Sequence, residues 1–370
     1  MRFCVLRLTC TQSAVPLCRL PTYNMRTCTY TRRRSMLRER AQLCEPPEDL
    51  QSRMACTQAL SDRCGAVVSP HESASATERI NVTAPWRTWK LDVDLGRANF
   101  PEEDVSLHLD TVTVGSRDIR ARPITERLFR RVVARLFRAG VLDTSGHIVN
   151  TGSWIGDNAL PWALMLQQLR PGNAGTVFAV DPSAKNIAYT YRLAAANNVR
   201  NLCMRVATFS ASNATHHYSG DEMHLSIVQG RSPRRGGGVD VRSVPLDSLG
   251  LQHVALLHLD VEGHEAAVLR GAGNLLATSR PLVVTEGLQA NLRGDPADRA
   301  DASVAAVLRQ HGYIGDVIPE VCGWNRRCRN WLWWPDAKMR AAGMAVVGKD
   351  MTRPLVDWVS PELTVELPVK

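Results

Sequence analysis

Lysine is almost missing from this sequence. Lys90, Lys185, Lys338, Lys349 and Lys370 are all it has in 370 residues. Arginine carries nearly all the positive charge, which points to compositional bias before any functional demand. Long apolar runs are missing too. Nothing approaches the roughly 18 consecutive residues of a membrane-crossing helix, and Phe3–Leu8 is broken by Arg7, so no membrane span is expected. No CxxC pair occurs among the seven cysteines before residue 65, which argues against a zinc knuckle. Low hydrophobicity combined with high net charge is also absent from the chain as a whole. Hydrophobic residues make up 44%, enough to bury a sizeable core in one large domain or two ordinary ones.

The net charge of +9 invites nucleic acid, but its placement does not. Residues 1–40 hold nine Arg and one Glu, which leaves +1 for all the rest. The basicity belongs to a tail and not to a folded face, so no nucleic-acid partner is expected. The first 38 residues contain eight Arg, many Ser and Thr, and no acid. This is the make-up of a mitochondrial or plastid transit peptide; without such a role the expected place is the cytoplasm. Residues 41–85 show no apolar periodicity. We read 1–85 as a largely disordered leader and 86–140 as a lead-in strand and helix. One domain then covers 141–335, with a C-terminal extension over 336–370. Cys322 and Cys328 either close a small loop disulfide or stay free thiols, according to the compartment.

Periodicity organises the rest. Residues 104–114 alternate as a half-buried strand does. Ile124–Ala139 reads as a helix, with Leu128, Val132 and Leu136, and Phe129, Val133 and Phe137, spaced by four. Strands are expected at 147–150, 176–181, 202–207, 225–228, 239–244, 254–260, 281–286 and 330–335. Helices are expected at 157–169, at 183–197, after the strand at 254–260 through 269, and at 300–309. The basic run Arg231–Gly238 reads as a hairpin loop between the strands at 225–228 and 239–244. Strands alternating with helices predict an α/β fold with a Rossmann-like, doubly wound, mostly parallel sheet. Such sheets bind ligands at the carboxyl ends of their strands. Asn150, Asp181, Asp260 and Glu286 stand at those ends.

Gly152 and Gly156 lie on the turn after the first of these strands, opening a helix whose N–H groups are available. Asp181, 25 residues beyond Gly156, is placed to accept hydrogen bonds from a ribose diol. Glycine turn plus acid points to a ribose-containing cofactor, either a dinucleotide or S-adenosylmethionine. A dinucleotide would call for Gly-x-Gly-x-x-Gly, which the sequence lacks.

The later motifs carry a resemblance. Leu246-Asp-Ser-Leu249, His258-Leu-Asp-Val-Glu-Gly-His-Glu265, Val268-Leu-Arg-Gly-Ala272, Arg280-Pro281 and Glu286 form an ordered series. With Ile155–Ala163 they resemble the FkbM-type family of S-adenosylmethionine-dependent methyltransferases, over about residues 141–290. The family pattern is roughly Asp-x-Gly-Ala-Asn-Ile-Gly first and Lys-x-Asp-x-Glu-Gly-x-Glu later. The chain departs from it in three places: Asn150 replaces the first acid, Ser153-Trp154 replaces Ala-Asn, and His258 replaces the lysine. The resemblance implies a class I methyltransferase fold and S-adenosylmethionine as cofactor, held by Asn150, Gly152, Ser153, Gly156, Asp157 and Asp181. Asn150 offers the cofactor's ammonium a carbonyl without charge. The implied reaction is methylation of an oxygen on a small-molecule or saccharide acceptor.

Methyl transfer is an in-line displacement, and a hydroxyl acceptor must also lose a proton. Asp260 and Glu262 are the expected orienting or proton-accepting groups, with His264 as a further base. Glu265 reads as a helix first-turn acid. His258, Asp260, Glu262 and His264 alternate, but Gly263 breaks the strand, so no metal site is expected. Two other functions remain open at this point: a dinucleotide-dependent oxidoreductase, or a binding protein that keeps the fold without catalysis. Trp331, Trp333 and Trp334 are read as packing residues of a last strand.

Overall fold

Strands buried on both faces build the sheet, and a helix such as Arg127–Arg138 covers it with apolar rows spaced by four. The computed structural model describes residues 96–109, 112–114, 117–119, 127–221, 224–227, 238–287, 296–319 and 329–352. The leader over 1–85, the loop at 231–237, and Cys322 and Cys328 lie outside the described residues.

The chain enters through an antiparallel pair, β1 (Gly96–Phe100) and β2 (Val105–Leu109). A second short pair follows, β3 (Val112–Val114) and β4 (Arg117–Ile119). The one strand expected over 104–114 is therefore two, in separate sheets. Val105 and Leu107 of β2 join the domain core, while β3 pairs with β4. Helix α1 (Arg127–Arg138) buries both of its four-spaced rows, and Gly140 follows it with φ +71°.

The main succession is then β5 (His147–Thr151), α2 (Ala159–Leu169), β6 (Val177–Asp181), α3 (Ala184–Ala196) and β7 (Leu202–Val206). An inserted sheet follows: β8 (Thr208–Phe209), β9 (Ala214–Asp221), β10 (His224–Ile227) and β11 (Gly238–Val244). The expected hairpin of 225–228 with 239–244 does not form. Strands β10 and β11 both pair with β9, which fills the place between them. The chain returns through β12 (Val254–Leu259), α4 (Glu265–Arg270), α5 (Gly273–Thr278), β13 (Leu282–Gly287) and α6 (Pro296–Gln310). It closes with β14 (Ile314–Val317), β15 (Arg329–Trp334) and α7 (Ala337–Thr352).

The seven-stranded sheet runs β14-β15-β13-β12-β5-β6-β7. The strands from β13 to β7 are parallel; β15 runs antiparallel to both of its neighbours. Alternate residues feed two cores. Ile148, Leu256 and Val284 face α1, α2, α3 and α7. Val149, Leu257 and Val283 face α4, α5 and α6. Strands buried on both faces read as continuous apolar runs for this reason. The fold is α/β, with a doubly wound, mostly parallel sheet. Among the described residues no helix is long and apolar enough to cross a membrane.

Helix α7 closes one edge over Trp334, which is fully buried. A Cβ on Gly343 would stand 2.2 Å from the Trp334 ring. The ring cannot swing aside, because its Nε1 donates to Asp316 at 2.8 Å. Gly343→Ala is therefore expected to destabilise by about 1–3 kcal/mol, overpacking outweighing the helix propensity gained. A thermal melt showing an unchanged or higher midpoint would refute this packing.

Candidate functional site

The carboxyl ends of β6, β5 and β12 lie side by side, and the turn after β5 is tied to both neighbours. The N–H groups of Gly152 and Ser153 donate to the Val180 carbonyl at 2.9 and 3.0 Å. The Asp260 N–H donates to the Thr151 carbonyl at 3.1 Å. Gly152 adopts φ +71°, and a Cβ there would stand 1.6 Å from the Asp260 carbonyl oxygen. A Cβ on Gly156 (φ +77°) would meet Thr190 of α3 at 2.6 Å. Both glycines thus let the turn press against protein, not only against a ligand. Trp154, between them, has φ +43°, a conformation seldom taken by a bulky residue. Its N–H donates to Asp181 Oδ2 at 2.8 Å.

Asp181 ends β6 and is buried. Besides Trp154, its carboxylate accepts from Ser183 N–H at 2.8 Å and Asn186 Nδ2 at 2.9 Å. These bonds aim the carboxylate at the turn. Asp157 is half-buried and accepts from the Asn158 N–H at 3.0 Å. Asn150 Nδ2, Ser153 Oγ and Asn158 Oδ1 are buried around the turn with no hydrogen-bond partner among the described residues. A polar ligand in the turn would meet that need.

Asn150 and His258 are register partners on β5 and β12. His258 Nδ1 lies 2.7 Å from Asn150 Oδ1. Burial, reinforced by the Arg130 guanidinium, pushes the imidazole down to about 3, so it is neutral and its Nδ1–H donates. The Asn150 carbonyl accepts this bond and keeps a second lone pair, while its Nδ2 donor has no partner among the described residues. Phe129 stacks on the His258 ring at 5.0 Å, and Trp162 meets it edge-on at 5.5 Å.

After β12 the chain turns sharply. Asp260 is half-buried, Glu262 is exposed with φ +53°, and Gly263 has φ +91°. Glu265 folds back to accept from the N–H groups of Val261 and Gly263 at 3.2 and 3.1 Å. It therefore shapes this loop besides starting α4. His264 is half-buried, its Nε2 3.3 Å from Ser210 Oγ. Burial, then His216 and Arg270, lower the proton affinity of His264. Asp260, Glu262 and His264 thus share one loop beside Gly152. Among the described residues no cluster of three or more His, Cys, Asp or Glu is placed to hold a metal.

Two residues on the inserted strand β9 were not anticipated. His216 meets the His264 ring edge-on at 5.1 Å, and its buried Nε2 has no partner among the described residues. Tyr218 donates to Thr208 Oγ1 at 2.8 Å; burial and the Asp181 charge push its phenol up. His217, between them, pairs outward with Asp240. The alternation of residues 215–218 was the available signal, hidden because its inward positions are polar.

The neutral His258 has a pH consequence. Below about 6.5 the unfolded chain takes up a proton that the folded chain refuses until about 3. Stability therefore rises with pH across that window and is lost as pH falls, by up to about 1.4 kcal/mol per unit. Thermal midpoints at pH 4.5 and 7.5 should differ less in His258→Gln than in the parent. An equal difference would show that His258 does not supply this dependence.

Residues 149–314 match the sequence model of the methyltransferase FkbM domain. No curated protein matches the chain. Among solved structures, methyltransferase FkbM from Methylobacillus flagellatus is similar at 16% identity. The match covers 54% of this chain and 46% of that one, with a TM-score of 0.37. A SAM-dependent methyltransferase from Aquifex aeolicus is 14% identical over 55% and 88% of the two chains, with a TM-score of 0.31. A SAM-dependent O-methyltransferase from Thermotoga maritima is 10% identical over 61% and 77%, with a TM-score of 0.32. Over residues 149–314, somewhat under half of its length, the chain is similar to methyltransferase FkbM domains.

Proposed function

We propose that this domain transfers a methyl group from S-adenosylmethionine to an oxygen of a small molecule or sugar. The observation that carries the reading is the set of unpartnered buried polar atoms on Asn150, Ser153 and Asn158, in the turn that joins Gly152, Asp181 and Asp260. These residues fit the cofactor. Asp181 would face its ribose, the turn 152–157 would hold its methionine end, and Asn150 Nδ2 would donate to a carboxylate there. When bound, S-adenosylmethionine supplies an electrophilic methyl group.

The chain's own residues do the rest. Asp260, pinned beside Gly152, orients the acceptor hydroxyl. His264, kept neutral at pH 7 by burial, is able to accept the acceptor's proton. Glu262, exposed on the same loop, is assigned as a second group to orient the acceptor or take its proton. The absence of charge at Asn150 favours one second reading, a binding protein without catalysis. Calorimetry with S-adenosylmethionine, S-adenosylhomocysteine and NAD separates the possibilities. Heat with the first two alone supports the proposal, heat with NAD alone makes the domain a dinucleotide enzyme, and heat with none supports the second reading. Asp260→Asn should lower labelled-methyl transfer to hydroxylated acceptors by roughly 10²-fold, leaving S-adenosylhomocysteine affinity within a few-fold. Equal transfer rates would remove Asp260 from the mechanism.

A further inference from the structure

Helix α1 lies outside the residues that match the family, yet two consecutive side chains on it touch the site. Phe129 stacks on His258. Arg130 is fully buried, with Nη1 3.0 Å from Glu103 Oε1, itself fully buried in the lead-in. Its other arm, Nη2, donates to the backbone carbonyl of Asp157. The guanidinium also lies 5.2 Å from the centre of the Phe100 ring.

A buried ion pair is a poor stabiliser, since well-packed apolar residues often serve as well or better. Burial pushes the Glu103 carboxyl up in spite of its partner, so desolvation outweighs the attraction. The reason for the pair lies in the helix it reaches. At the start of α2, Leu160 N–H donates to the Gly156 carbonyl at 2.9 Å, and Trp162 N–H donates to Asn158 at 3.2 Å. The donor between them, due to reach Asp157, would come from residue 161. Residue 161 is proline and has no N–H. Arg130 supplies the missing donor to the carbonyl that closes the turn 152–157.

We propose that Arg130 is a positioning residue of the cofactor turn, standing in for the hydrogen bond that Pro161 cannot make, with Glu103 holding it in place. The lead-in is then a working part of the site. For its ligand the proposal rests on the function proposed above; for its geometry it does not.

The test uses the full chain. Arg130→Met with Glu103→Met removes both charges together and leaves no lone buried ion. S-adenosylhomocysteine should bind about tenfold more weakly, as a misplaced turn requires. The amides of 152–158 should exchange hydrogen faster than in the parent. Adding Pro161→Ala restores a backbone donor to Asp157 and should recover both properties, which a merely structural loss would not do. Should the double variant fail to fold, Arg130→Lys takes its place. It keeps the charge opposite Glu103 and loses the fork, so the same weaker binding and faster exchange are expected. Parental affinity and parental exchange in these variants would overturn the proposal, as would a loss that Pro161→Ala leaves unrepaired. If the parent itself binds no S-adenosylhomocysteine, the functional reading falls, while the exchange measurements still decide the role of Arg130.

Discussion

The carboxyl edge of the sheet depends on how near the chain comes to itself between Gly152 and the Asp260 carbonyl. No side chain fits there: even one carbon would overlap that oxygen, and the positive φ adds a second reason for glycine. This approach, with the Asp260 N–H bonded to Thr151, joins the turn after β5 to the loop after β12. The residues assigned to the cofactor and those assigned to the acceptor therefore lie on two segments held against each other. Trp154 and Glu262, both at positive φ, sit on those two segments. Strain of this kind persists only where the surroundings impose it.

Two departures from the family pattern, separate in the sequence, prove to be neighbours in the structure. Asn150 and His258 face each other across adjacent strands, both buried, joined by one hydrogen bond. An acid and a lysine here would form an ion pair. Changing one alone would leave a buried charge without its partner, at a cost of about 3–5 kcal/mol. Changing both gives a neutral amide and a neutral imidazole. Arg130, matched by Glu103, then supplies the positive charge behind His258.

Much of this was legible from the chain. The four-spaced rows of α1 and the apolar runs of β6 and β12 marked the layers, because parallel strands bury both faces. Strand ends picked out Asn150, Asp181 and Asp260, because doubly wound sheets gather ligands there. Strand β9 was not legible, since His216 and Tyr218 stand where an apolar residue would have shown the alternation. Strand β14 is short and leaves Ile314 and Val317 exposed, so no buried stripe marked it. Arg130 is one of five arginines on α1, and nothing in the sequence singles it out until Glu103 and the gap at Pro161 are seen beside it. Pairing between distant segments, and not local preference, decides such positions.

Two of the nine tryptophans have a use of their own. Trp154 is hydrogen-bonded through its backbone to Asp181, and the Trp162 indole lies edge-on against the His258 imidazole. Anything that enters between β5 and β6 alters the surroundings of the first, and anything that charges the imidazole alters the second. The domain therefore carries a built-in optical gauge at the place where its chemistry is assigned, readable from its own emission without a dye.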